Sequence, residues 1–172
     1  MRVRNMELLK EQTLFEGCEE DTVRRICFIC TGNTCRSPMA EAVTNAYCEE
    51  NGRRDLRAFS AGLYANENEP ISEDAVRALT EANVTPVKGR DYRRHLAHTL
   101  RLDEAEAYDL LVCMSTEHMM QLLMRYPHLS PKLVCMPTPI PDPYGRGAEV
   151  YRATLEEIRR GVMELIFSER EA

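Results

Sequence analysis

Four short runs rich in apolar residues mark the hydrophobic pattern of the chain, and longer amphipathic stretches separate them. Three of these runs, "ICFIC", "LLVCM" and "LVCM", are apolar at consecutive positions, as is typical of parallel strands that are buried on both faces. Length and flanking residues favour short strands over helices. The predicted strands cover residues 26–30, 56–62, 109–114 and 132–136.

Between the strands, apolar residues recur at the three- and four-residue spacing of amphipathic helices. The first helix begins at Ser37-Pro38, because proline suits the first helical turn, and it ends near Gly52. The other predicted helices cover residues 72–83, 116–125 and 148–167, with a short helical turn near 101–107. Strands that alternate with helices predict an α/β fold with a doubly wound, open, four-stranded parallel sheet flanked by helices.

Composition narrows the classes of protein that fit this pattern. The 172 residues suit one domain over residues 26–172, preceded by a polar extension over residues 1–25 whose scattered leucines suit a short helix. A net charge of −6 argues against a nucleic-acid partner. No apolar run approaches the roughly 18 residues of a membrane span, so we expect no membrane partner. Seven cysteines, an odd number partly placed in predicted strands, favour a reduced, cytoplasmic protein.

The loop "CTGNTCRSP" follows the first strand, at the edge of the sheet where α/β proteins bind ligands. The free N–H groups at the start of the next helix, together with the helix dipole, would bind a phosphate. Gly32 and Asn33 tolerate the left-handed backbone that such a loop needs. In this field Cys30 would be a thiolate nucleophile, and Arg36 would bind two phosphate oxygens. The spacing therefore predicts a site that attacks a phosphoester.

Such an attack needs an acid that protonates the leaving group. Asp142, in the proline-rich loop "PDPYG", is the best candidate for this acid. Asp91 and Asp109 are weaker candidates, because one lies among arginines and the other at the wrong end of a strand.

Two further interpretations concern the cysteines and histidines. Cys35 suits either a buried core thiol or a redox partner that forms a reversible disulfide with Cys30. A metal site at Cys27, Cys30 and Cys35 lacks a fourth ligand, so we expect no metal and no cofactor. We expect three histidines to lie at the surface or at helix ends: His98, His118 and His128.

The stretches "ICFICTGNTCRSPMAE" and "DPYG" resemble the low-molecular-weight protein tyrosine phosphatase family, over about residues 26–167. The resemblance implies a phosphatase domain in which Cys30 is the nucleophile, Arg36 binds phosphate and Asp142 is the general acid. It implies phosphate binding by the loop residues Thr31, Gly32, Asn33, Thr34, Cys35 and Arg36. It further implies a polar network that supports the loop, formed by Asn33, Ser37, Ser60 and His95.

Two features resemble the bacterial protein-arginine phosphatases of that family. Thr34 stands where tyrosine phosphatases usually carry isoleucine, and "DPYG" precedes Arg146-Gly147. Tyr64 and Tyr144 would form aromatic walls that suit either a phosphotyrosine ring or a guanidinium. The resemblance thus implies a phosphorylated protein as substrate and inorganic phosphate as product, and it favours phosphoarginine over phosphotyrosine. A phosphotyrosine phosphatase, an arsenate reductase and a non-catalytic phosphate-binding module are the alternatives.

Overall fold

The computed structural model describes residues 23–168, and the sheet inside it has four parallel strands. The strands are β1 (Arg24–Cys30), β2 (Leu56–Gly62), β3 (Leu110–Cys113) and β4 (Leu133–Cys135). Their order in the sheet is β2-β1-β3-β4, and every neighbouring pair is parallel. The predicted open, four-stranded parallel sheet is therefore confirmed. Most of the predicted extension over residues 1–25 lies outside the described residues.

Five α-helices connect or follow the strands. They are α1 (Arg36–Glu50), α2 (Glu73–Glu81), α3 (Leu102–Ala107), α4 (Thr116–Arg125) and α5 (Ala148–Val162). The segment between α2 and α3 contains one short 3₁₀ turn, Tyr92–Arg94. A second 3₁₀ turn, Pro127–Lys132, leads into β4, and a π-helical turn, Met163–Phe167, ends the predicted last helix. None of the helices formed by residues 23–168 has the length and apolar character needed to cross a membrane.

The two faces of the sheet pack against different helices, because side chains of successive strand residues point to opposite faces. Phe28 and Val112 belong to a core cluster with Leu155 of α5. Cys27 and Leu111 belong to a second cluster on the other face. Central strands that are covered on both faces explain why their sequences are apolar without alternation.

The register of the sheet places the end of β1 beside the end of β2, since Cys30 pairs with Gly62. The segment after β2 lies against the end of β1. The Leu63 N–H donates to the Cys30 carbonyl at 2.9 Å, and the Tyr64 N–H donates to the Thr31 carbonyl at 3.0 Å. A Cβ atom on Gly62 would lie 2.5 Å from the Thr31 carbonyl oxygen, so only glycine fits there. This packing fixes where the loop after β1 begins.

Candidate active site

The loop between β1 and α1 surrounds the sulfur of Cys30 with hydrogen-bond donors. Cys30 is buried, and its Sγ lies 2.9 Å from the Ser37 hydroxyl. Asn33 adopts a left-handed backbone with φ of +57°, whereas Gly32, also expected to suit this geometry, does not have a positive φ. Within the described part of the chain, no N–H of residues 31–36 donates to a protein acceptor. Unpaired amides at a helix start form a binding site for an anion.

The structure brings together the four residues that were expected to support this loop. Asn33 Nδ2 donates to Ser37 Oγ at 2.9 Å and to Ser60 Oγ at 3.0 Å. The backbone carbonyl of Asn33 is 2.8 Å from His95 Nε2. All four side chains are buried or nearly so, and their bonds hold the loop around Cys30.

This network ends on a carboxyl group that the sequence analysis did not single out. Glu41 Oε2 accepts a hydrogen bond from the Ser60 hydroxyl at 2.6 Å. Burial raises the pKa of Glu41, and this hydrogen bond opposes the rise. Burial also lowers the pKa of His95, which lies 4.0 Å from Glu41, so a neutral imidazole is favoured at neutral pH. The spacing of Ser37 and Glu41, one helical turn apart, is the only sequence signal for this arrangement.

Arg36 of this loop and Asp142 of the segment after β4 form an ion pair. Arg36 is buried, and its Nη1 donates to the Ile140 carbonyl at 3.2 Å. Its Nη2 lies 3.7 Å from Asp142 Oδ2, whose side chain is 57% exposed. The Tyr144 N–H donates to Asp142 Oδ1 at 3.2 Å, which turns the carboxylate towards the cleft. The Ile140 carbonyl therefore holds the Arg36 guanidinium in place, and the Asp142 carboxylate remains open to solvent.

His118 contacts this loop and lies at a helix end, one of the two positions expected for it, but it is buried and not at the surface. It is 4% exposed because the first turn of α4 faces inward. Its Nδ1 is 2.8 Å from Ser115 Oγ, and its Nε2 is 2.9 Å from Thr31 Oγ1. Burial, and then the nearby Arg36 guanidinium, lower the pKa of His118 to about 4. A neutral imidazole with two hydroxyl partners thus fixes the side chain of Thr31.

The other two histidines differ from each other. His98 is half-buried, and its Nε2 is 2.8 Å from Glu104 Oε1, a bond that raises the pKa of His98. This position differs from the expected surface or helix-end position, because the His98 N–H donates to Asn33 Oδ1 at 3.2 Å and its carbonyl accepts from the Gly62 N–H at 2.9 Å. His128 is exposed, as expected, and lies 3.1 Å from Glu106.

Cys35, which was expected to be either a core thiol or a redox partner, occupies the position just before α1. It is buried, and its Sγ lies 3.1 Å from the Tyr151 hydroxyl and 3.6 Å from Ser72 Oγ. Cys30 and Cys35 are both free thiols in the structure. A disulfide between them stays a prediction.

A cleft of about 220 Å³ opens above Cys30. Besides the loop, its lining includes Asp142 and Tyr144, as expected, and two residues that the sequence did not indicate, Asn66 and Glu69. Tyr64 does not line the cleft: it is 60% exposed, and its hydroxyl accepts from Arg125 Nη2 at 3.0 Å. The structure therefore supplies one of the two expected aromatic walls.

A larger depression of about 700 Å³ lies between α1 and residues 86–95 and contains the basic stretch "RDYRR". Two of the four lysine and arginine side chains that line it are already bonded within the protein. Arg90 donates to the Ala58 carbonyl, and Arg93 pairs with Asp91. No cysteine lines it, so the smaller cleft above Cys30 is the candidate active site. Among residues 23–168, no group of three or more acidic, histidine or cysteine side chains is arranged to hold a metal ion.

Two curated bacterial proteins and one crystal structure are similar to most of this chain. The protein-arginine-phosphatase of Bacillus subtilis is 29% identical over 81% of this chain and 93% of its own length. The protein-arginine-phosphatase of Geobacillus stearothermophilus is 30% identical over 78% of this chain and 88% of its own length. The crystal structure of a low molecular weight protein tyrosine phosphatase from T. tengcongensis is 37% identical and superposes with a TM-score of 0.75. That comparison covers 84% of this chain and 98% of the other.

The family model of low molecular weight phosphotyrosine protein phosphatases matches residues 25–171, which is most of the chain. The match includes the loop around Cys30 and the segment that carries Asp142. The fold superposes on solved structures that are 37% and 28% identical to the chain, with TM-scores of 0.75 and 0.74. The chain therefore belongs to the low molecular weight phosphotyrosine protein phosphatase family and is a protein phosphatase.

Proposed function

We propose that this protein phosphatase transfers a phosphoryl group from a modified side chain to Cys30 and then to water, with phosphoarginine as the favoured substrate. The observation that carries the proposal is the single cleft in which Cys30, unpaired amides, Arg36 and Asp142 meet. Its atoms supply a nucleophile, an anion site and an acid, which are the groups that a phosphoryl transfer through an enzyme thiol needs.

In the first step, the Cys30 sulfur attacks phosphorus and the bond from phosphorus to the leaving group breaks. The Ser37 hydroxyl, 2.9 Å from Sγ, stabilises the thiolate before attack. The amides of residues 31–36 and the Arg36 guanidinium bind the three phosphoryl oxygens as their charge changes. Asp142, in its protonated form, gives its proton to the departing nitrogen or oxygen.

In the second step, Asp142 is ionised and takes a proton from water as that water attacks the phosphocysteine. The bond from sulfur to phosphorus breaks, Cys30 returns as a thiolate, and inorganic phosphate leaves. The exposure of Asp142 suits both steps, because the carboxylate can exchange its proton with solvent and reach either the leaving group or water.

Thr34 supports phosphoarginine over phosphotyrosine. It lines the cleft beside Cys35, and its hydroxyl can accept a hydrogen bond from a guanidinium nitrogen. A phenyl ring has no such donor. Tyr144, exposed at the cleft edge, offers a face on which either a ring or a guanidinium can stack. Relatives named as arginine phosphatases and as tyrosine phosphatases both match the chain, so the residues that line the cleft carry the argument.

The test compares kcat/KM on two peptides of the same sequence, one with phosphoarginine and one with phosphotyrosine. We expect wild type to prefer phosphoarginine, and Thr34→Ile to lower that activity by about 10- to 100-fold, the cost of one lost hydrogen bond to a charged group. Phosphotyrosine activity should fall much less. Thr85→Ile, at an exposed position away from the cleft, is the matched control. A ratio of activities that is the same in wild type and Thr34→Ile would contradict the proposed preference.

A further inference from the structure

The lining of the cleft includes, besides Asp142, a carboxyl group that the phosphoryl-transfer steps do not use. Glu69 lies in the segment between β2 and α2, and it lines the cleft together with Asn66. Its backbone is fixed at both ends: its N–H donates to the Asn66 carbonyl at 3.1 Å, and its carbonyl accepts from the Ala97 N–H at 2.8 Å. The side chain is also held, because Oε2 accepts from Asn66 Nδ2 at 3.1 Å.

The Glu69 carboxyl group lines the cleft without a close cationic partner from the described residues. None of the ion pairs formed among residues 23–168 involves Glu69. A second carboxylate beside a phosphate site opposes phosphate binding, since like charges repel. Asp142 has a reason to be there, as an acid facing Arg36, whereas Glu69 has no such partner. A fixed, unpaired carboxylate in an anion-binding cleft is explained if the substrate carries a cation next to its phosphate.

The hydrogen-bonding groups on this part of the cleft lining are mostly acceptors. Asn66 uses its Nδ2 on Glu69, which leaves its Oδ1 available. The Thr34 hydroxyl and the second oxygen of Glu69 add further acceptors around the same cleft. A guanidinium is planar, positively charged and has only donors, so it matches this set. A phenyl ring would leave the same acceptors without partners.

We propose that Glu69, with Asn66, forms a guanidinium subsite that receives the cationic part of phosphoarginine while the amides and Arg36 bind its phosphoryl group. This inference rests on the proposed function and names residues that favour phosphoarginine over phosphotyrosine. Glu69 acts on specificity: it contacts the substrate's guanidinium and takes no proton in either chemical step.

The first experiment measures the ratio of kcat/KM on a phosphoarginine peptide to that on the matched phosphotyrosine peptide, neither containing another basic residue. We expect Glu69→Gln to lower this ratio by about 10-fold, since the variant keeps the shape and loses the charge. Glu67→Gln is the control, because Glu67 lies two residues away, does not line the cleft, and accepts from the Thr99 N–H. An unchanged ratio in Glu69→Gln overturns the inference.

The second experiment is independent of phosphoarginine turnover. Agmatine, which carries a guanidinium and no phosphate, is tested as an inhibitor of para-nitrophenyl phosphate hydrolysis, with tetramethylammonium chloride at equal ionic strength as the salt control. We expect its inhibition constant to rise about 10-fold in Glu69→Gln and to stay the same in Glu67→Gln. Equal inhibition of wild type and Glu69→Gln overturns the subsite.

The two experiments separate the subsite from the proposed function. If wild type does not hydrolyse phosphoarginine but agmatine inhibition depends on Glu69, the subsite stands and the proposed substrate fails. A third substrate, a phosphotyrosine peptide with a lysine beside the modified residue, tests whether Glu69 recognises a neighbouring residue. Should Glu69→Gln affect only that peptide, Glu69 would recognise a neighbouring residue, and the inference would be overturned.

Discussion

The middle of β1 and its carboxyl end each carry a cysteine, three residues apart, and the two thiols have different environments. Cys27 is completely buried on the sheet face opposite α5, and burial raises its pKa well above the usual value. Cys30 is almost equally buried, at 2% exposure, but it is the last strand residue and lies 2.9 Å from the Ser37 hydroxyl. Burial alone therefore does not distinguish an inert thiol from a candidate nucleophile. The difference comes from the unpaired amides and the helix start that follow Cys30.

Replacing each of these two cysteines gives the largest expected contrast. Cys30→Ser should lower kcat/KM on para-nitrophenyl phosphate by at least about 10⁴-fold, because a serine hydroxyl stays protonated and removal of a nucleophile has effects of this size. Cys27→Ala should keep most of the activity and lower the free energy of unfolding by about 1–2 kcal/mol, the cost of a small cavity. Kinetics and chemical denaturation measure both. A folded Cys27→Ala protein without activity, or an active Cys30→Ser protein, would reverse the assignment.

The two aspartates at opposite ends of the sheet sharpen the same contrast. Asp142→Asn should lower kcat/KM, which reports the first step, by about 10²–10⁴-fold on substrates with poor leaving groups, since these need a proton most. The effect should be smaller on para-nitrophenyl phosphate, whose leaving group is stable as an anion. Asp109→Asn is the control, because Asp109 lies at the start of β3 and accepts from the Arg25 N–H. The assignment of the acid fails if Asp142→Asn lowers kcat/KM equally for all substrates or for none of them.

His118 supports the loop after Cys30 from below, and a smaller effect is expected there. His118→Leu removes both hydroxyl contacts, so kcat/KM should fall by about 10-fold as the loop loses its exact position. His118→Gln keeps a donor and an acceptor and should restore part of the activity. His128→Leu, at an exposed position, serves as the control.

The same variant should also change the pH dependence of stability. The folded pKa of His118 is about 4, below the unfolded value near 6.5, so the unfolded chain binds more protons between these values. The contribution of neutral His118 is therefore complete above about pH 6.5 and is lost as the pH falls towards 4, by about 2–3 kcal/mol. In His118→Leu, the free energy of unfolding should vary less with pH across this range. An unchanged slope would show that His118 titrates normally in the folded protein.

Local sequence patterns were sufficient for the sheet and for the loop around Cys30. Consecutive apolar residues predicted the buried strands, and Ser37-Pro38 predicted the start of α1 to within one residue. The cleft also contains Asp142, because a proline-rich loop after β4 must pass over the carboxyl edge of a parallel sheet. These features depend on short stretches of chain, in which the order and spacing of residues predict the local structure.

The residues that the sequence did not indicate come from segments distant in the chain. His118 is buried by the orientation of α4, although its sequence neighbours Glu117 and Met119 are not fully buried. Glu69 enters the cleft through backbone bonds to Asn66 and Ala97, which leave no pattern in hydropathy. The direction of the Tyr64 side chain also depends on a distant segment, because its hydroxyl accepts a hydrogen bond from Arg125, 61 residues away. Tertiary contacts of this kind are not encoded in local periodicity.

The phosphocysteine intermediate tests the central claim most directly. Asp142→Asn is mixed with para-nitrophenyl phosphate and quenched within its first turnover, and the digested protein is examined by mass spectrometry under conditions that preserve phosphocysteine. Slow hydrolysis in this variant should leave one phosphoryl group per chain, attached to the sulfur of Cys30, and none when Cys30→Ala is added. A phosphoryl group on another residue, or phosphate release by an active enzyme that never becomes phosphorylated, would contradict the account.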